Sequence, residues 1–170
     1  MGDLLPLVLR VVHIFCGAFW VGAALMLAGF IEPAIAALGP DGGKFMQRMM
    51  GPGRFALFMT AGGVLTALSG LGMLWLGGSV ASWLDSGYGK AIVVGGVAGL
   101  VGLVWGLSVN APTAARLSRI GQEIQAAGGP PPADKLAQIP SLQKRLHIGG
   151  LVSALLLGFS LLAMAAARYM

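Results

Sequence analysis

The chain has 170 residues, of which 56% are hydrophobic, 10% are charged and 28 are glycine, a balance that excludes both an ordinary soluble domain and a disordered one. Its net charge of +5 is no sign of nucleic acid, because the basic residues sit at the ends of apolar runs and between them, where membrane topology puts them. The single cysteine, Cys16, excludes an intrachain disulfide framework.

One membrane domain, 1–170, in contact with the lipid bilayer is therefore expected. Four apolar runs, at about 6–30, 55–76, 90–110 and 147–168, each supply the ~20 helical residues that cross roughly 30 Å of hydrocarbon. Nothing alternates like a barrel strand, and open sheet edges are excluded at that depth, so the expected fold is all-α, an integral membrane four-helix bundle. The first run, Leu4 to Ile31, far exceeds the roughly 7–15 residues of a signal-peptide core and is preceded by Asp3 rather than a base, so it is expected to be retained.

Pro33 is expected to close the first helix. GPDGG at 39–43 reads as a turn, KFMQRMM at 44–50 as a short interfacial helix, and GPG at 51–53 as its end. Between the second and third spans GGS and DSG read as turns, with Trp83 and Tyr88 at headgroup level. The region 111–146 opens as an amphipathic continuation of the third helix, RLSRIGQEIQ, and breaks at GGPPP.

The loops 31–54 and 111–146 hold eight Lys and Arg residues, whereas the other side holds three, Arg10, Lys90 and Arg168. The positive-inside rule then makes both loops cytoplasmic and puts both termini outside the cytoplasm. GGVLTAL (62–68) resembles GGLVSAL (149–155), which raises a duplicated helical hairpin beside chance similarity in low-complexity sequence.

His13 lies roughly 8–12 Å inside the outer boundary of the first span, where an ionisable group is costly and needs a partner. His13, Cys16, Gly17 and Trp20 share one helical face. Heme iron explains a histidine with Gly17 one turn along, since a missing side chain admits a flat ring; a hydrogen bond to a neighbouring helix is the alternative. Lys90, at the start of the third span, can meet a porphyrin carboxylate or snorkel to lipid phosphate. Gly95, Gly99, Gly102 and Gly106 form a stripe for close helix packing or for a flat cofactor.

His147 is a second, weaker candidate for iron. It opens the fourth span at the opposite face, roughly 15–20 Å from His13, whereas two ligands of one iron approach to about 4 Å. An interfacial cap or headgroup contact suits it better, with a propionate or second-heme role behind. Met46, Met49 and Met50 are soft enough for Cu(I), but nothing near them supports a copper site. Glu32 and Asp41 read as solvated boundary carboxylates, and no catalytic triad, phosphate loop or metal-spaced His/Cys pair is found.

The first span resembles the membrane proteins grouped around CopD and HemJ, through His13, Trp20 and Gly22 (H-x6-W-x-G) and through Lys90 after SWLDSGY. The resemblance covers about 50 residues and implies a bacterial membrane bundle of four to five helices. In HemJ proteins it further implies heme b and protoporphyrinogen oxidation, with that histidine and lysine near the porphyrin. The chain departs from HemJ in placing Pro33 thirteen residues beyond Trp20, and in having QKRLH where an Asn-Glu pair precedes the last helix.

The expected function is a heme-b protein of the bacterial cytoplasmic (inner) membrane, serving electron transfer or porphyrin redox chemistry. His13 would ligate iron, Gly17 and Gly99 would make room, Trp20 would pack on the ring, and Lys90 or Arg10 would meet a propionate. The alternatives are a cofactor-free accessory or assembly subunit of a larger membrane complex or homo-oligomer, and a small transporter. The transporter is disfavoured because 56–74 and 91–109 hold no ionisable residue.

Overall fold

A computed structural model describes residues 4–50, 54–127 and 132–170. All of its regular structure is helical, in six helices. Helix α1 covers Leu4–Ala37, α3 Arg54–Leu76, α5 Gly87–Ala126 and α6 Ala133–Tyr169, ending in a 3-10 turn; these four are long and apolar enough to span a membrane. Two short helices, α2 (Pro40–Met50) and α4 (Val80–Leu84), join them. Phe15, Trp75 and Leu155 project outward with 75%, 85% and 74% exposure, as suits helices that face lipid.

The helices pack as two close pairs, α1 on α3 and α5 on α6, with α1 also touching α6 and α3 only lightly touching α5. Little apolar surface is gained by packing in lipid, so close approach over small residues matters most. Trp20 shows how it works: its ring lies within 3 Å of where a side chain on Gly63 would begin, beside Leu103. Trp20, Val21, Ala24 and Leu157 form the buried centre, with Met59 and Leu103 against it. In the second pair Trp105 again meets a glycine, its Nε1 donating to Gly149 O at 3.2 Å. The GG pairs of the two similar heptapeptides therefore each receive a tryptophan from the partner helix.

The spans run further than expected. Pro33 does not close α1: the helix widens into a π turn over Leu27–Ile31 and resumes through Glu32–Ala37. Helix α5 does the same over Gly106–Asn110, one residue before the Ala111-Pro112 step. In both cases a wide-turn bond, Glu32 N–H to Leu27 O and Ala111 N–H to Gly106 O, precedes the proline. A proline ring collides with the carbonyl four residues back, and one extra residue in the turn relieves that collision without ending the helix.

The region expected as loop 111–146 is largely helical, because α6 starts at Ala133 and carries Pro140 inside it. Helix α5 ties to it through Lys135 on Glu123 and Arg116 on Gln138. Likewise α2 begins at Pro40, absorbing DGG after a turn at Gly39 with φ +58°. Lys44 holds the Asp41 carboxyl below its ordinary value by hydrogen bonding to it at 2.9 Å. DSG starts α5, since Ser86 Oγ accepts from Gly89 N–H. The expected breaks at 51–53 and across 128–131 lie outside the described residues.

Candidate functional site

His13 sits on the α1 face that meets α3. Its Nδ1 lies 2.8 Å from Thr66 O. A carbonyl only accepts, so Nδ1 carries the proton, and Nε2 of the neutral ring keeps its lone pair. The half-buried ring makes no second hydrogen bond among the described residues. Gly70 lies beneath it: a Cβ there would stand 2.8 Å from Cε1 and 3.0 Å from Nδ1. Thr66 O also accepts from Ser69 Oγ at 3.1 Å, while the Thr66 hydroxyl bonds back to Gly62 O.

The residues expected to make room for a ring are otherwise engaged. The Thr66 methyl lies 3.3 Å from the Cβ position of Gly17, so no tetrapyrrole fits beside that glycine on the α3 side. Trp20 is 8% exposed and belongs to the helix core. Gly99 receives Ser160 Oγ at 3.1 Å, while Gly95 and Gly102 receive Met164 and Leu157. Only Gly106, the last of the stripe, faces open space. Arg10 and Lys90 are exposed, and their side chains make no hydrogen bond among the described residues.

His147 belongs to a different place. Its Nδ1 lies 2.8 Å from Glu32 Oε2, and the Glu32 side chain is only 11% exposed. Glu32 is therefore no solvated boundary carboxylate, which corrects the expectation. The π turn directs it inward over Gly150, whose Cβ position is 3.0 Å from Oε1. Nineteen residues of α1 separate Glu32 from His13, about 28 Å at the helical rise, so the two histidines serve separate sites. The sequence signal for the pair was available: a carboxylate and a histidine at the same end of two apolar runs.

Beside this pair Asn110, in the π turn of α5, donates to Gly149 O at 3.2 Å and Ser153 Oγ at 2.9 Å. Its Oδ1 is buried without a hydrogen-bond partner and sits 2.1 Å from the Cβ position of Gly149. Only glycine fits there. Among the described residues no three His, Cys, Asp or Glu side chains come together to hold a metal ion.

Fold and sites together define a multi-pass α-helical membrane protein with one histidine inside the bundle and a His–Glu pair at its end opposite the termini. No protein-family model matches the chain, and no curated protein or solved structure matches it.

Proposed function

We propose that this chain is a heme-b protein of the bacterial cytoplasmic membrane, in which Nε2 of His13 would hold the iron, with both termini outside the cytoplasm. It serves electron transfer or porphyrin redox chemistry. The observation that carries the reading is the bond from His13 Nδ1 to Thr66 O, which fixes the tautomer and aims a bare Nε2, as a metal-ligating histidine requires. Heme supplies a one-electron couple at such a site. The chain's part is to hold the imidazole at one angle, raise its basicity through the carbonyl and keep water away. The donor suits iron, and the groove beside Gly17, filled by Thr66, is not where a ring would go. Arg10, Lys90 and Arg168 are the basic residues of that membrane half, and Arg10 or Lys90 would meet a propionate.

The test is the visible spectrum of protein purified from heme-replete cells, oxidised and dithionite-reduced. A Soret band and a sharpened reduced α-band are expected, lost in His13→Ala. In Gly70→Ala the new methyl displaces the imidazole from Thr66 O and weakens both bands. A colourless preparation overturns the reading.

A second reading, an accessory subunit without a cofactor, is favoured by one observation: Gly17, Trp20 and Gly99 are all filled by helix packing. Colourless protein migrating with a larger membrane complex would select it.

A further inference from the structure

At the end of the bundle opposite the termini, the extensions of α1, α5 and α6 and the short α2 enclose a cleft of about 930 Å³, within the range of small-molecule sites. Ile35, Leu117, Ile124, Ile139 and Leu146 give it apolar walls. Its charged and titratable groups are few: Glu32 bonded to His147, with Lys44 and Lys144 also in the lining, beside the neutral polar Ser118, Gln125 and Gln143. Lys44 is paired with Asp41, and Glu32 with His147. Among the described lining residues, that leaves Lys144, three residues before His147 on α6, as the lysine without a carboxylate partner.

We propose that this cleft binds an amphiphile carrying one acidic headgroup, a carboxylate or a phosphate. Its body lies along the apolar walls and its head on Lys144. The walls require an apolar body, because a fully hydrated ion gains nothing from them. The acidic head follows from charge: Glu32 is already engaged by an imidazole, and basic pockets between membrane helices attract anionic headgroups. Glu32 directly follows the π turn Leu27–Ile31, so the cleft lies at the end of the first apolar run.

The experiment uses the full chain in dodecyl maltoside micelles with nitroxide-labelled palmitate, phosphatidylglycerol and phosphatidylcholine, read as the motionally restricted fraction. At least one acidic probe is expected to bind several-fold tighter than phosphatidylcholine. Preference for palmitate identifies a free acid as the source, and preference for phosphatidylglycerol a bilayer lipid. Lys144→Gln, at an exposed position that leaves the bundle intact, is expected to weaken the acidic probe roughly fivefold. Leu117→Trp, which fills the cleft, should remove the restricted component. Acidic probes bound no tighter than phosphatidylcholine, or an acidic preference unchanged in Lys144→Gln, would overturn the proposal. The cleft lies about 28 Å along α1 from His13, so either result stands independently of the heme spectrum.

Discussion

Gly63 and Ser160 show which kind of contact holds this bundle. Gly63 lets Trp20 and Leu103 approach to 2.9 Å of its Cβ position, whereas Ser160 Oγ makes one buried bond, 2.7 Å, to Gly95 O across the α5–α6 seam. In lipid the unfolded reference helix also finds partners for its hydroxyls, so an interhelical hydrogen bond contributes only about 0.6 kcal/mol on average. Overpacking a close backbone approach costs about 1–3 kcal/mol. Gly63→Ala is therefore expected to destabilise more than Ser160→Ala, measured by reversible unfolding in mixed micelles with increasing dodecyl sulfate. The opposite order would mean that polar contacts, not small-residue packing, decide stability.

The four spans were legible because apolar length alone defines them, and the face carrying His13 was legible because helical spacing fixes it. Its acceptor was not: Thr66 O is a backbone atom, and no side-chain pattern announces it. Gly17 and Gly99 illustrate the same gap, since a glycine stripe predicts a flat surface without saying what fills it, here Thr66 and Ser160. The helix ends are not legible in the sequence, for a physical reason. Proline is penalised in an α-turn, but a π turn before Pro33 removes the collision, so α1 continues and brings Glu32 to a histidine 115 residues away.

That π turn can be tested as an element. Gly29 lies within it, exposed and with nothing within 4 Å of its Cβ position, so removing it deletes no packing contact of its own. One residue turns a helix by about 100°, and deletion of Gly29 should swing Glu32 away from His147 by that angle. In a Cys16→Ser background, Glu32→Cys with His147→Cys is expected to be bridged by a short bis-thiol reagent. Deleting Gly29 should abolish the bridge, and an unchanged yield would show that the π turn does not set the rotation.

At the scale of the whole molecule, four spans place both termini on one side, and Gly87 at the start of α5 packs on the C-terminal Met170. Which side that is depends on charge. Of the eight basic residues on the far side, Lys44, Lys135 and Arg116 are already bonded to Asp41, Glu123 and Gln138, yet orientation is decided by counting Lys and Arg during insertion, and acidic partners contribute little. Eight against three is a large bias for a chain of this size. Fusion of alkaline phosphatase after Met170 is expected to be active and fusion of a cytoplasmic fluorescent reporter dark, with the reverse pattern for fusions within the 128–131 segment. Fluorescence at Met170 would invert the orientation. The cleft lined by Glu32 and Lys144 would then face the outside and His13 would lie in the cytoplasmic half.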